Sequence, residues 1–325
     1  MDLNNLVKSI KNFEGVTRKK SISKLLSILG NSDKISGHTY LSYGDDAAAI
    51  KLGNGKLLLL AADGIWDKLM KADPYWAGYC SVLVNVNDIA AMGGEPLAMV
   101  NVLSIKDENT CFKVMEGVRE GAKKFGVPMV GGHLHPATPY NVLDVSIVGI
   151  VSEDSVITSH NAKIGDKIII AIDLDGNIHP NFPLAWDTTT HKNSKLVRAQ
   201  IKAMKKIASK KLVNAGKDIS NPGTIGTLGM MLEASNTGAI VELDKIPRNE
   251  SVEWERWLKL YPGSGFVFSC PEECVEECIE ILSKVNLTAN VVGEIIPDRK
   301  LYLKYKNTKK IVFDFRKEYI VGLRS

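Results

Sequence analysis

The chain has 325 residues, 45% hydrophobic and 24% charged, the proportions of an ordinary soluble globular protein with one large or two medium domains. A formal net charge of +4 is small for this length, and the lysines are spread out, which argues against a nucleic-acid binder. No apolar stretch approaches a membrane span, no signal peptide is read, and five cysteines without a disulfide pattern fit a reducing cytoplasm.

The first thirty residues read as polar and helical, with an amphipathic stretch over 21–29 closed by Gly30. Strands over 47–52 and 56–62 flank Gly53-Asn54-Gly55, a strong hairpin signal. Asp73 caps a helix that Pro74 opens and Gly93-Gly94 ends. A strand over 96–105 and a helix over 110–125, stopped by Gly126, follow. A short strand over 127–130 enters Gly131-Gly132-His133, and 142–151 is another buried strand. Polar residues over 153–166 mark the expected domain boundary. Beyond it, strands are expected over 167–172, 239–243, 265–269 and 289–296, and helices over 194–210, 224–235 and from Pro271. Two or three short strands fill 300–319. Mixed α and β signals in both halves argue for an α+β or α/β protein.

The chemistry-bearing pattern is a set of separated aspartates, each ending an apolar run or beside glycine. They are Asp45 and Asp46 in Gly44-Asp45-Asp46-Ala47-Ala48, Asp63 in Leu60-Ala61-Ala62-Asp63-Gly64, and Asp88 in Asn87-Asp88-Ile89-Ala90-Ala91-Met92-Gly93-Gly94. Asp218 joins them from Lys217-Asp218-Ile219-Ser220-Asn221-Pro222-Gly223. A carboxylate beside buried apolar chain is costly unless something positive meets it, and hard divalent cations prefer oxygen ligands. A magnesium–nucleotide site is therefore the first expectation. Each aspartate alone also fits a turn cap, an Asx-turn or an exposed helical position; the joint pattern is what favours a site.

Gly131-Gly132-His133 directly follows a strand, which suits either backbone N–H groups approaching phosphate or a plain tight turn. His133 and His135 share one side of extended chain and fit a metal, a phosphate or a loop hydrogen bond. Neither the P-loop nor the dinucleotide fingerprint occurs. Cys270, Cys274 and Cys278 line up with Leu282 as an apolar helix stripe, which favours core packing over a metal cluster. The helix start near Asn221 and Thr224 suits an anion or simple capping.

These segments, together with Lys163-Ile164-Gly165-Asp166, come in an order that covers most of the chain. They resemble the superfamily of aminoimidazole ribonucleotide synthetase, thiamine-monophosphate kinase, selenophosphate synthetase and the hydrogenase maturation factor that dehydrates a carbamoyl group. The resemblance implies an α+β fold of two α/β domains. Residues 1–155 would form an N-terminal ATP- and metal-binding domain whose mixed sheet pairs with a second copy into a shared β-barrel. Residues 156–325 would form a C-terminal α/β domain. ATP would lie in a long cleft, bridged by Mg²⁺. Asp46, Asp63 and Asp88 would ligate metal, with Asp45 a neighbour or second ligand and Asp218 reaching across from the second domain. Gly131 and Gly132 would approach the phosphates, Ser220 and Asn87 would contact nucleotide, and His133 and Asp218 would be catalytic.

Departures from the pattern narrow the member. The kinase branch carries an aspartate where His133 stands, an arginine near Ser159 and an aspartate at Asn221. Selenophosphate synthetase has Gly-Gly-His at the match, but its N-terminal segment is rich in glycine and cysteine and carries a lysine. Here that region is Gly15-Val16-Thr17-Arg18-Lys19-Lys20, without cysteine, and Lys19 or Lys20 either takes the lysine's part or belongs to a solvated basic run. The combination looks most like synthetase-related proteins such as the methanogenesis marker 2 group. The expected activity is ATP-dependent phosphoryl transfer to a small-molecule acceptor in a homodimer. Thiamine-monophosphate kinase or selenophosphate synthetase-like activity is the alternative within that class. A nucleotide-binding regulator or assembly protein without turnover is the alternative outside it.

Overall fold

The computed structural model describes residues 2–30 and 32–323; residues 1, 31, 324 and 325, which include the outer ends of both expected domains, lie outside the described residues. Three helices open the chain: α1 (Leu3–Lys11), α2 (Glu14–Thr17) and α3 (Ile22–Leu29). The start is less polar than its composition suggests. Leu3, Leu6, Val7 and Ile10 recur at helical spacing and are buried, while Asp2 caps α1 by accepting from the Asn4 N–H at 2.8 Å. That stripe packs against the last strand of the chain, Thr308–Asp314, so the first helix joins the core of the second half and crosses the expected division at 155.

The first sheet holds β1 (Thr39–Leu41), β2 (Ala48–Gly53), β3 (Lys56–Gly64), β4 (Glu95–Ser104), β5 (Met129–His135) and β6 (Val142–Ser152). Its order is β1-β2-β3-β6-β4-β5, antiparallel except for the β4–β5 pair. Between strands run α4 (Asp67–Ala72), α5 (Pro74–Ala91) and α6 (Glu108–Phe125). Asp73 caps α5 through the Trp76 N–H at 3.0 Å, and Gly126, left-handed at φ 75°, closes α6. The two helices cross closely because glycine lines the contact: a Cβ on Gly117 would stand 1.8 Å from the Tyr75 carbonyl oxygen. Both cover one face of the sheet. Gly131-Gly132-His133 corrects the expected loop: β5 continues through it, because parallel pairing with Val100, Asn101 and Val102 carries the strand on.

The second sheet holds β7 (Lys167–Ile172), β10 (Ala215–Asp218), β11 (Gly238–Glu242), β13 (Gly265–Cys270), β14 (Thr288–Ile296), β15 (Lys300–Tyr305) and β16 (Thr308–Asp314). They run in the order β10-β13-β7-β14-β11-β15-β16. A small sheet of β8 (Asn177–Ile178), β9 (Ala185–Asp187) and β12 (Tyr261–Pro262), missed in the sequence reading, stands beside it. Helices α7 (Ser194–Ser209), α8 (Gly223–Ala234), α9 (Trp254–Trp257) and α10 (Val275–Ser283) complete the half. β7 is buried on both faces. Ile169 and Ala171 join the core shared with α5, α7 and α10, whereas Ile168, Ile170 and Ile172 join the one shared with α1 and α8. The layers are thus sheet, helices, sheet, helices, with α5 in the middle. No helix among the described residues is long and apolar enough to cross a membrane.

Candidate functional site

The cleft of interest lies where the first sheet meets the end of β10. Asp46 sits in the turn before β2, Asp63 near the end of β3, Asp88 in the last turns of α5, and Asp218 at the end of β10. All four line one cleft of about 520 Å³. One carboxylate oxygen each from Asp46, Asp88 and Asp218 lies within 4.8 Å of the others. Asp63 stands outside this trio but adds to the charge felt by Asp88.

Burial perturbs every member, and neighbouring carboxylates add to it at Asp46, Asp88 and Asp218. Asp88 is pushed well above the carboxylate range by burial, then by Asp63, Asp218 and Asp46. Burial, with Asp46 adding to it, raises Asp218 to about 8. Burial raises Asp46 to about 6 against the pull of Lys217, and burial likewise raises Asp63. Two lysines answer this charge. Lys217 hydrogen-bonds Asp46 Oδ1 in a buried ion pair; burial works against its charge, but Asp46 and Asp45 hold the ammonium firmly protonated. Lys19 lines the cleft, its ammonium pushed down by burial and supported by Asp63. Asp46 Oδ2 remains buried without a partner.

Asp45 does other work. It accepts from the Ser159 N–H at 2.8 Å and faces His160 Nδ1 at 3.6 Å. Burial raises its pKa, but the His160 contact, Lys217 and those backbone donors outweigh burial and lower it. It therefore ties the Gly44–Asp46 turn to the chain after β6. Ser220 lines the cleft and donates its N–H to Thr227 Oγ1 at 3.3 Å. Asn87 donates Nδ2–H to the Gly263 carbonyl at 2.9 Å, leaving Oδ1 buried and unpartnered.

Gly131, Gly132 and His133 are not brought to this cleft within one chain. Asp63 pairs with Val145, Val145 with Asn101, and Asn101 with Gly132. That row spans three strand spacings, or about 14 Å. His133 and His135 share one side of β5, ring centroids 4.5 Å apart. Cys270 and Cys278 are buried in the core, with Cys274 packed at its edge, and all three thiols are free.

Sequence reasoning missed Lys217, whose adjacency to Asp218 was its one signal, and left the part of Lys19 open. It also missed an aromatic wall beside the cleft. Trp76, Cys80, Leu83, Val84 and Asn87 face it from α5, at a spacing that the sequence does carry.

An AIR synthase related protein N-terminal domain matches residues 44–151, and the corresponding C-terminal domain matches residues 163–306. The chain therefore belongs to the AIR synthase related family. An uncharacterized protein of Methanocaldococcus jannaschii is 53% identical over 99% of this chain and 100% of its own. The thiamine-monophosphate kinase of Pyrococcus horikoshii is 28% identical over 80% of this chain and 85% of its own. Among solved structures, Thermotoga maritima PurL complexed with FGAR superposes with a TM-score of 0.78 at 19% identity, over 96% of this chain and 53% of that one. The same protein complexed with ATP gives a TM-score of 0.70 at 20% identity, over 89% of this chain and 51% of that one. This chain thus spans about half of PurL, and the likeness defines a two-domain α+β fold.

Proposed function

We propose that the protein is an ATP-dependent, Mg²⁺-assisted phosphotransferase or synthetase that activates a small-molecule acceptor. The observation that carries this reading is the convergence of Asp46, Asp88 and Asp218, from three distant segments, within 4.8 Å. The donor set suits the ion: all are hard oxygens, one is buried and unpartnered, and burial together with mutual repulsion raises their proton affinity. Kinases and synthetases are also the named activities among the relatives.

Asp46, Asp88 and Asp218 would hold the metal, with Asp63 as a further ligand from the same cleft. Magnesium bound there supplies neutralisation of the nucleotide phosphates and of charge developing during transfer. The chain's own residues do the positioning. Lys217 fixes Asp46, and Asp45 fixes the turn that presents it. Ser220 lies where a nucleotide in the cleft would touch it. Lys19 offers a cation to the phosphate end of the cleft. His133, Gly131 and Gly132 would serve from a second copy. The open face of the first sheet supports that pairing, because it exposes Leu60, Val100 and Val102 by 41%, 45% and 43%, an apolar surface suited to a matching sheet. In this reading residues 1–155 and 156–325 form the two functional halves, with α1 docked on the second.

A thermal-shift series with Mg²⁺–ATP tests the assignment, since a ligand selective for the native state stabilises it. The wild type should gain several degrees, whereas Asp88→Asn and Asp63→Asn should fold and lose the gain. Full retention of the shift in both variants would remove those residues from the site.

A further inference from the structure

Beside the carboxylate cleft lies a narrower cavity of about 70 Å³, room for a handful of waters or one small ring. Asp63, Asp218, Ser220 and Asn221 line both, so the cavity opens onto the cleft at its acidic end. Its far end is aromatic. Trp66, Trp76 and Trp186 line it, three of the chain's five tryptophans, together with Tyr261. No lysine, arginine or histidine is in the lining, while three carboxylates are, so an anionic group is disfavoured inside.

Two lining side chains are left incomplete. Asn87 is 2% exposed, and its amide is oriented by donating to the Gly263 carbonyl, which leaves Oδ1 as an unmet acceptor. Trp76 is 5% exposed and stacks on His179 at 3.9 Å, with its indole N–H unmet. Buried polar atoms without partners are rare in folded proteins, and two on residues that line one cavity ask for a ligand that completes both.

We infer that this cavity is the acceptor pocket, and that it takes a small, uncharged, planar heterocycle carrying a hydrogen-bond donor for Asn87 and an acceptor for Trp76. The ring stacks among the tryptophans, and the atom to be modified points to the Asp63–Asp218 end. The assignment of the ring as acceptor rests on the proposed phosphotransferase reading; the pocket's ligand chemistry does not.

The probe is 2-pyridone, an uncharged six-membered ring with adjacent N–H and C=O groups, titrated against the full chain by tryptophan fluorescence. Saturable quenching in the millimolar range is expected, as befits a fragment of this size. Benzoate, of similar size but anionic, should not compete. Val84→Phe, which fills the cavity from α5, should weaken 2-pyridone about tenfold or more. Asn87→Leu should do the same by removing the acceptor, and it serves if Val84→Phe does not fold. Equal response to benzoate, no saturation in the wild type, or unchanged affinity in the folded variants would overturn the inference. The Mg²⁺–ATP thermal shift separates the two readings. A missing shift with intact 2-pyridone binding fells the phosphotransferase alone, whereas an intact shift without 2-pyridone binding fells the pocket alone.

Discussion

The acidic cleft and the aromatic cavity share Asp63, Asp218, Ser220 and Asn221, yet they place opposite demands on the fold. The cleft gathers buried carboxyl groups, an electrostatic strain that the proposed cation would relieve. The cavity gathers apolar rings and two unmet hydrogen-bonding groups, so its empty form is tolerable and a neutral ligand completes it. One wall thus separates two regions with different costs, one of crowded carboxyl groups and one of unmet hydrogen bonds.

The largest expected effect lies on the charged side. Lys217→Met strips Asp46 and Asp45 of their buried counter-charge and should cost about 3–5 kcal/mol in urea unfolding without metal, with part of the loss recovered on adding Mg²⁺. A loss below about 1 kcal/mol would mean that the pair contributes little to holding the halves together. Next is Asp88→Asn, which removes the cost of ionising a buried carboxyl among other carboxylates. It should stabilise the metal-free protein by on the order of 1–2 kcal/mol while abolishing the magnesium response; a destabilised variant would contradict the strain.

The same strain sets a pH dependence. Asp46, raised to about 6, and Asp218, raised to about 8, both hold protons more tightly folded than unfolded. Their contribution to stability is therefore fully present below the unfolded carboxylate range and is lost as pH rises through 6 and 8. Metal-free unfolding midpoints should fall across that window, and excess Mg²⁺ should flatten the slope. A profile identical with and without the ion would count against a cation at these carboxylates. The smallest expected effect lies far from the cleft. Val100→Glu on the open sheet face should change the unfolding energy by within about 0.5 kcal/mol, yet convert a dimer to a monomer by light scattering. An unchanged particle mass would exclude this face as the contact.

What could be read in advance followed local rules. Asp73-Pro74 opening α5, Gly126 closing α6 and Gly53-Asn54-Gly55 turning the hairpin are short-range signals, and each element forms where they place it. α1 was harder, because its polar residues outnumber the stripe that buries it. Gly131-Gly132 read as a loop because glycine usually breaks a strand; a parallel neighbour overrode that preference. The aspartates stood out because each ends an apolar run, but their meeting point depends on how β10 and α5 are stacked. Of the lysines that answer them, Lys217 was marked only by its place next to Asp218, and Lys19 sits in a basic run. The ring-lined cavity was hard to see although α5 carries the spacing, because its other walls come from the start of α4, from β9 and from β12, and the two short strands leave almost no trace in composition.

The division of the acidic trio between halves has a consequence for assembly. Asp46 and Asp88 arrive with the first sheet, and Asp218 with the second. In the proposed site the first half would bring Asp46, Asp63 and Asp88, and the second half Asp218 alone. A chain truncated before β10 would lack the fourth carboxylate and should bind the proposed ion more weakly than the whole chain. Under that reading, full ion affinity would report completed closure of both halves, and partly made copies would compete less for nucleotide.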